Sequence, residues 1–477
     1  MKMTQNKVFN EPKIIDYTNM LLEAFSKPNS QKQSLIYLVK YNDLYNSAIP
    51  KEIKTIYKGI KDHIDGEIIY LPREKSKNLI CIVLYGKDKI KYVDKYLGAL
   101  VNSKIKNKYW KLKTKLSKTQ EYNFYLGWAL NQYRFNKFSL ECFIELSNKI
   151  DKTKFISVVS GIFYGKELIN IPSSDMGPDN LEISFIDFAN HHKLPYKIIK
   201  NEVIEQQFPL IYAVGKASRQ IPRLLEFNYV NNKKYPLVVL VGKGVCYDTG
   251  GLDLKPSQYM RNMKKDMGGA ASVLALSNII LKSNLRLNLK VLIPTVDNDI
   301  GPNSMRPGDV FNSRAGITVE IGNTDAEGRL ILADALHYAD SFKPNILINF
   351  ATLTGAARVA LGPDLPAYFT HHEDIATLIN KYSNFEKDPL WRLPLYSPYS
   401  SWLDSDVADI CNISQGAFAG SITAALFLDK FVKSNTKWIH IDTYAWSDLN
   451  KLGHSKGGDI LGVRSVFKFI KNYVNNL

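Results

Sequence analysis

The chain has few cysteines and no long apolar segment. Its four cysteines, Cys81, Cys142, Cys246 and Cys411, are widely scattered and form no C-x-x-C pair, which argues against a disulfide framework. Residues 1–7 lack the apolar core of a secretory signal, and no run approaches the ~18 apolar residues of a membrane span. We therefore expect a cytoplasmic protein with reduced, mostly buried cysteines, and we interpret Cys246 as a packing residue.

Histidine is also scarce, and several catalytic signatures are missing. There are eight histidines and no H-E-x-x-H pair, and the pairs His191-His192 and His371-His372 are not spaced for chelation. We interpret His440 and His454 as structural. The sequence contains no G-x-S-x-G and no G-x-x-x-x-G-K-[ST], which argues against a serine hydrolase of that type and against a P-loop nucleotide site.

Acidic residues are fewer than basic ones, and the formal net charge is +16. Clustered lysine attracts phosphate, so nucleic-acid binding is one hypothesis. Lysine and asparagine are abundant throughout, however, including in the loop 231–234, which favours a compositional bias over a binding face. In the densest cluster lysine alternates with apolar residues, which predicts an edge strand with a charged outer face. Its lysines are Lys104, Lys106, Lys108, Lys111, Lys113 and Lys115.

The length of 477 residues predicts two domains. Residues 1–150 predict a smaller N-terminal α/β domain, with buried strands at 34–39 and 79–84 and helices at 92–101 and 124–135. The polar segment 148–154 predicts the boundary. From 155 to 477, strand and helix signals alternate, which predicts a larger C-terminal α/β domain with a mixed, mostly parallel sheet covered by helices on both faces.

One acidic stretch, residues 323–330, lies where an apolar strand-like run ends and an Ala/Leu-rich helix begins. Side chains in an extended segment repeat with a period of two, so Asp325, Glu327 and Arg329 are expected to point to one side. Two carboxylates and a guanidinium would then converge. Taken alone, the string also fits a simple salt bridge between Arg329 and its neighbours.

A second polar stretch follows the apolar strand signal at 237–241. Lys243 lies between two glycines, Asp248 and Lys255 follow it, and Asp266 precedes an apolar helix that extends to residue 281. Open α/β sheets bind ligands outside the carboxyl ends of their strands. Both polar stretches are predicted at such positions.

Carboxylates with few histidines are the donors that hard or borderline divalent cations prefer. Asp248, Asp266, Asp325 and Glu327 supply enough negative charge for two cations, and such a pair polarises a carbonyl and generates hydroxide from bound water near neutral pH. This chemistry is hydrolysis. A phosphoesterase is the alternative within this class, because the same donor set also clamps phosphoryl oxygens.

The two stretches resemble the signatures of the leucyl (cytosol) aminopeptidases. The likeness extends to 208–215, 222–223, 351–356, 406–409 and 419–425, and it covers the chain from about residue 166 to the C-terminus. The resemblance implies a metal-dependent aminopeptidase that releases N-terminal residues, leucine or other mainly apolar ones, from peptides by attack of water or hydroxide held by two metals. Before residue 150 the likeness is faint, so that domain is assigned to assembly or to substrate access.

The resemblance also implies roles for individual residues. It assigns two divalent ions per subunit, Mn²⁺, Zn²⁺ or Mg²⁺, to Lys243, Asp248, Asp266, Asp325 and Glu327. Lysine is a ligand only as the neutral amine, which a nearby dication favours. Lys255 would stabilise the oxyanion, and Arg329 would hold a bicarbonate that relays a proton. The implied assembly is a homohexamer, and the implied substrate-binding residues are Met263, Asn323, Thr352, Leu353 and Gly355.

One segment departs from the family pattern. His440-Ile441-Asp442 leads directly to Thr443-Tyr444-Ala445-Trp446, a segment two residues shorter than is usual in the family that the sequence resembles. The corresponding segment forms part of the side-chain pocket in the family. We therefore expect Tyr444 to narrow or reshape that pocket, which leaves the preference for leucine open.

Overall fold

The computed structural model describes residues 7–26, 33–40, 65–72, 79–86, 90–105, 109–137 and 140–476. The predictions for residues 1–6, Lys106 and Lys108 lie outside these ranges. None of the helices found in these ranges combines the length and the apolar character that a bilayer crossing requires. The chain divides into two compact units, an N-terminal unit (15–163 with 448–456) and a C-terminal unit (1–14, 164–447 and 457–477).

The N-terminal unit contains a five-stranded sheet. Its elements, in chain order, are α1 (Ile14–Ala24), β1 (Ser34–Lys40), β2 (Ile68–Pro72), β3 (Leu79–Tyr85), α2 (Lys95–Lys104), β4 (Tyr109–Leu112), α3 (Lys118–Leu130), β5 (Phe143–Glu145) and α4 (Lys152–Asn170). The strand order is β2-β3-β1-β4-β5, and the pairs are parallel except for β2 with β3. The boundary between the units falls within α4. The strands predicted at 34–39 and 79–84 are confirmed.

One prediction in this unit is wrong, and a predicted helix is present with different bounds. Strand β4 pairs with both β1 and β5, so the lysine-rich segment does not form an edge strand, and Lys111 instead forms an ion pair with Glu145 of β5 at 2.9 Å. The helix expected at 124–135 begins earlier, at Lys118. Ser117 and Gln120 form a capping box in which each side chain accepts a hydrogen bond from the other's backbone N–H, and this fixes the helix start.

The other helices and strands of the described chain belong to the C-terminal unit. In chain order they are α5 (Pro178–His191), β6 (Tyr196–Lys200), α6 (Glu202–Gln207), α7 (Pro209–Gly215), β7 (Arg223–Tyr229), β8 (Leu237–Gly242), β9 (Gly244–Asp248), α8 (Ser257–Met260), α9 (Gly268–Leu281), β10 (Asn288–Asn298), β11 (Val310–Asn312), β12 (Thr318–Glu320), α10 (Glu327–Ser341), β13 (Ile346–Ala351), α11 (Gly355–Leu361), β14 (Ala367–Phe369), α12 (Glu373–Glu386), β15 (Trp391–Arg392), β16 (Ile410–Cys411), α13 (Gly420–Asp429), β17 (Trp438–Asp442), β18 (Trp446–Ser447), β19 (Gly457–Gly458) and α14 (Val463–Val474). Short 3-10 helices span Met263–Met267 and Ser397–Leu403.

A nine-stranded sheet organises this unit. Its order is β15-β14-β17-β13-β8-β10-β7-β6, and β9 pairs in addition with β10. The central strands β17, β13, β8 and β10 run parallel to one another, whereas β14, β7 and β6 add antiparallel pairs on either side. The predicted α/β class, with a mixed, mostly parallel sheet and helices on both faces, is confirmed.

The carboxyl ends of the parallel strands bring distant polar residues to one edge of this sheet. Lys243 follows β8, Thr352 follows the neighbouring strand β13, and Asp442 ends the next strand, β17. Strand β9 ends at Asp248, opposite Asn298 of β10. This is the edge at which open α/β sheets bind ligands.

Glycines allow helix α9 to approach the same edge closely. A Cβ on Gly269 would overlap the carbonyl oxygen of Phe350, so only glycine fits there. The Ala270 backbone N–H donates to the carbonyl oxygen of Lys243 at 2.9 Å. The 3-10 turn that carries Asp266 is therefore held beside Lys243.

Candidate metal centre

The five residues predicted as metal ligands lie together. Carboxylate oxygens of Asp248, Asp325 and Glu327 lie within 4.8 Å of one another. The Nζ atom of Lys243 lies 2.7 Å from Oδ2 of Asp266 and 2.9 Å from Oε1 of Glu327. We call these five residues the ligand cluster. Their segments come from different parts of the chain, and the sheet order brings them together.

Lys243 is buried at the centre of the cluster. Besides its two carboxylate neighbours, its Nζ donates a hydrogen bond to the carbonyl oxygen of Thr352 at 3.0 Å. The side chain passes over Gly328, where an added Cβ would lie 2.5 Å from both Cε and Nζ of Lys243. Three polar contacts hold the lysine, so it cannot move aside without losing some of them.

We therefore expect Gly328→Ala to displace Lys243 and to weaken both metal retention and activity, the latter by at least about tenfold, because losing one charge-assisted contact costs ~1.5–3 kcal/mol. Metal content by mass spectrometry and hydrolysis of a leucine anilide would measure the two effects. Gly416→Ala is the matched control, since a Cβ there meets nothing within 4 Å. Equal metal content and activity in both variants would contradict the packing argument.

Asp248 and Lys255 form the second half of the site. Oδ1 of Asp248 accepts hydrogen bonds from the Gly250 backbone N–H at 2.9 Å and from the Asn298 amide at 2.8 Å. The Nζ atom of Lys255 lies 2.7 Å from Oδ2 of Asp248 and also forms an ion pair with Asp325. The two lysines thus neutralise part of the charge of the four carboxylates.

Crowded charges shift the pKa values of the cluster. Burial and the charge of Asp248 raise the pKa of Asp325 to about 6, and the same two causes raise the pKa of Glu327 well above its ordinary value. Burial lowers the pKa of Lys243, but the nearby carboxylates, Asp266 foremost, outweigh this effect and raise it overall. Because carboxylates bind a metal in their deprotonated form, metal binding by Asp325 and Glu327 is expected to depend on pH.

Several buried oxygens of the cluster lack hydrogen bonds. Oδ2 of Asp266 and both carboxylate oxygens of Glu327 accept none from the described residues, although Lys243 lies at ion-pair distance from two of the three. Leaving a buried carboxylate without such partners is costly, and a cation removes the cost. A donor set of four carboxylates and one amine fits hard or borderline divalent cations. The residues present therefore fit the predicted metals.

A cavity of about 350 Å³ adjoins the cluster. Four of the predicted substrate-binding residues line it, namely Met263, Thr352, Leu353 and Gly355. The fifth, Asn323, is not among its lining residues, and its side-chain oxygen accepts a hydrogen bond from the Asp325 backbone N–H at 2.6 Å. Lys255 also lines the cavity, so the cluster and the predicted pocket share one space.

The expectation that Asp325, Glu327 and Arg329 point to one side is wrong for Arg329. Helix α10 begins at Glu327, and two residues along a helix correspond to a rotation of ~200°, so Glu327 and Arg329 point in different directions. Arg329 does not line the cavity. It is buried, its Nη1 donates to the carbonyl oxygen of Asn412 at 2.6 Å, and its Nε has no hydrogen-bond partner among the described residues. Burial lowers its pKa to about 10.

Sequence reasoning assigned Thr352 only to the substrate pocket, and it missed the other residues that orient the cluster. The Thr352 hydroxyl donates to Oδ1 of Asp266 at 2.7 Å, and Asn298 donates to Asp248 as described above. Asn412 accepts from the Gly322 backbone N–H at 2.8 Å and donates to the Asn323 carbonyl oxygen at 2.8 Å, which holds the loop before Asp325. Asn298 ends a long apolar strand, a signal that would have identified it. Asn412 carries no such signal.

Two residues that we interpreted as structural are buried and do not line the cavity. Burial raises the pKa of the Cys246 thiol, which makes it a poor nucleophile. His440 is buried on β17, its Nδ1 lies 2.8 Å from the Asn349 amide, and burial lowers its pKa to about 3. Both environments agree with packing roles.

Comparison with known proteins agrees with the geometry. The family model described as the cytosol aminopeptidase family, catalytic domain, matches residues 163–467. A probable cytosol aminopeptidase of Rickettsia canadensis is 36% identical over 367 residues, which covers 73% of this chain and 73% of that protein.

Solved structures agree as well. The crystal structure of a cytosol aminopeptidase from Coxiella burnetii superposes with a TM-score of 0.87 at 36% identity and covers 94% of this chain and 99% of that one. The bottromycin maturation enzyme BotP in complex with Mn superposes with a TM-score of 0.83 at 26% identity, over 93% of this chain and 100% of that one. The resemblance seen in the sequence motifs is confirmed: the chain belongs to the cytosol aminopeptidase family and is a metal-dependent aminopeptidase.

Proposed function

We propose that this aminopeptidase uses two divalent cations, held by Lys243, Asp248, Asp266, Asp325 and Glu327, to release N-terminal amino acids from peptides. The observation that carries the proposal is the convergence of these five side chains with buried carboxylate oxygens that lack hydrogen bonds. Family membership favours a peptide amide as the substrate over the phosphate esters that a similar donor set also serves.

The residues around the cluster have separate tasks in this proposal. When bound, the cations supply charge that polarises an amide carbonyl and lowers the pKa of water. Asp248 and Glu327 would each contact both of them, as the family resemblance implies. Lys255 lines the cavity with an ammonium group, so it is the cation that would stabilise the oxyanion of the scissile amide.

Arg329 is proposed to hold bicarbonate and to assist proton transfer. Its guanidinium is buried and retains at least one N–H, at Nε, without a partner among the described residues. A planar guanidinium matches the paired oxygens of such an anion. Bicarbonate dependence of the rate, lost in Arg329→Ala, would support this role, and equal dependence in both proteins would contradict it.

The pocket residues are proposed to receive the N-terminal residue of the peptide. Met263 and Leu353 give the cavity an apolar wall that suits leucine, and Thr352 and Gly355 lie beside it. Asn323 is proposed to act on the pocket indirectly, through the Asp325 backbone that it positions.

Titrating the metal-stripped protein with Mn²⁺, Zn²⁺ and Mg²⁺ against a panel of amino-acid amides tests the proposal. We expect no amide hydrolysis without metal. As metal is added, we expect activity to recover until two ions are bound per chain, because the four carboxylates of the cluster carry enough negative charge for two divalent cations. Full activity at one ion per chain would contradict the two-metal mechanism. Full activity of the stripped protein would contradict metal dependence of the amide hydrolysis.

The assembly and the domain roles are further proposals. As the family resemblance implies, we propose a cytoplasmic homohexamer, in which the domain at 155–477 carries catalysis and the domain at 1–150 serves assembly or substrate access. Light scattering that reports a monomer would contradict the hexamer.

A further inference from the structure

Besides Lys243 and Lys255, two further cationic side chains, Lys265 and Arg358, line the cavity. The Nζ atom of Lys265 lies 4.9 Å from the centroid of the Tyr444 ring, and the guanidinium carbon of Arg358 lies 4.7 Å from the same centroid. All three residues line the cavity that contains the cluster. Lys265 is buried and Arg358 is half-buried, so bulk water solvates these two charged groups only in part.

The carboxylates of this cavity are already engaged elsewhere. Asp266 and Glu327 pair with Lys243, and Asp248 and Asp325 pair with Lys255. Within the described residues, no carboxylate lies at ion-pair distance from Lys265 or Arg358. Two cations that line one cavity beside the same ring, and that form no ion pair within the described residues, favour an anion.

A second observation points to a polar ligand at the same place. Thr443 precedes Tyr444, lines the cavity and is only 3% exposed. Its hydroxyl oxygen is buried and has no hydrogen-bond partner among the described residues. Leaving such a hydroxyl unsatisfied is costly unless a ligand contacts it.

We propose that Lys265 and Arg358, together with the Thr443 hydroxyl, form a carboxylate-binding subsite beside Tyr444, so that preferred substrates bring a carboxylate into this part of the cavity. This inference rests on the proposed function. The carboxylate belongs either to an acidic side chain on the N-terminal residue or to the C-terminus of a dipeptide. Both sources offer the paired oxygens that a guanidinium binds in a bidentate manner.

The energetics favour this occupant over an apolar one. Lys265 is buried, so an anionic occupant would offset the cost of burying its charge, whereas an apolar occupant would not. Each positive group contacts the Tyr444 ring, and a cation–π contact satisfies none of its N–H donors, which remain available to a carboxylate as far as the described residues show. A positively charged N-terminal side chain would meet like charge and is expected to be the poorest substrate.

Matched substrates separate the two sources. For the side chain, we compare kcat/KM for the para-nitroanilides of glutamate and glutamine, which differ in charge but hardly in shape. For the C-terminus, we compare Leu-Gly with Leu-Gly-amide. We expect the charged member of at least one pair to be favoured about tenfold or more, the effect of one charge-assisted hydrogen bond.

Variants then assign the preference to residues. Arg358→Gln and Lys265→Gln are each expected to reduce that ratio about tenfold, and Arg358→Lys should recover part of it. Arg261→Gln is the control, because Arg261 is an exposed cation close in sequence that does not line the cavity. It should leave the ratio unchanged. Circular dichroism would confirm that each variant is folded.

The outcomes separate this inference from the proposed function. Turnover of leucine anilide with ratios near one in both pairs would overturn the subsite and leave the aminopeptidase proposal standing. Calorimetric binding of glutamate against glutamine, and of Leu-Gly against its amide, tests the subsite even without turnover. Equal affinities in both comparisons, or a preference that Arg358→Gln leaves unchanged, would also overturn it.

Discussion

Replacing Glu327 with glutamine is expected to reduce peptide hydrolysis by roughly 1,000-fold or more, the scale seen when a residue of a catalytic unit is removed. The amide keeps the volume of the side chain but loses the charge that faces Asp248, Asp325 and Lys243. Metal content by mass spectrometry should fall with activity. Glu205→Gln, at an exposed position, is the control for loss of one acid.

The same substitution is expected to leave the metal-free protein at least as stable as the wild type near neutral pH. Burial and the charge of Asp248 raise the pKa of Glu327, so its charged form is disfavoured in the folded state. Because the folded-state pKa lies above the unfolded one, the contribution of Glu327 to the stability of the metal-free wild type falls as pH rises above about 4.5. Glutamine removes this loss.

Thermal unfolding measured across pH, with and without Mn²⁺, tests both the loss of metal binding and the expected stability of the metal-free variant. Mn²⁺ should raise the Tm of the wild type and raise that of Glu327→Gln much less, since a ligand stabilises only the state that binds it. A variant that retained two ions and wild-type activity would remove Glu327 from the metal site. A metal-free variant far less stable than the metal-free wild type would instead indicate a structural role.

Lys255→Ala is expected to lower kcat by about 100-fold or more, because one preorganised contact to a developing oxyanion contributes on that scale. Lys255 lines the cavity and lies 2.7 Å from Asp248, so its ammonium group is close to the place where the amide would react. Lys234→Ala, at an exposed loop position, is the control.

The metal content of Lys255→Ala distinguishes catalysis from metal binding. In the metal-free protein Lys255 pairs with Asp248 and Asp325, so it competes with a cation for the same oxygens. Removing it should therefore leave metal affinity unchanged or higher while kcat falls. A near-wild-type rate would remove Lys255 from the mechanism, and metal loss equal to the loss of rate would reassign it to the metal site.

Local sequence signals were sufficient for much of the fold. The apolar runs that became β1, β3 and β8 were predicted because buried strands leave a short, continuous apolar pattern. The capping box at Ser117 and the interior position of β4 were missed. Strand order depends on pairing partners far along the chain, and a strand of four residues carries too little pattern to indicate its neighbours.

The acidic stretch illustrates the same limit within the site. Its residue types indicated a metal cluster, and its position between a strand and a helix indicated a sheet edge. Sequence could not indicate where the extended backbone becomes helical. Because α10 begins at Glu327, Asp325 and Glu327 share the cluster whereas Arg329 turns toward Asn412.

By itself, the sequence determined which donors are available and at which strand ends and helix starts they lie, since both are properties of neighbouring residues. Only the tertiary structure decided which of these residues meet. Lys265, Arg358 and Tyr444 share no motif, and they lie together because the 3-10 helix Met263–Met267, helix α11 and the segment after β17 meet at the same edge of one sheet. The distances between such segments follow from long-range strand pairing and helix packing, which no local pattern encodes.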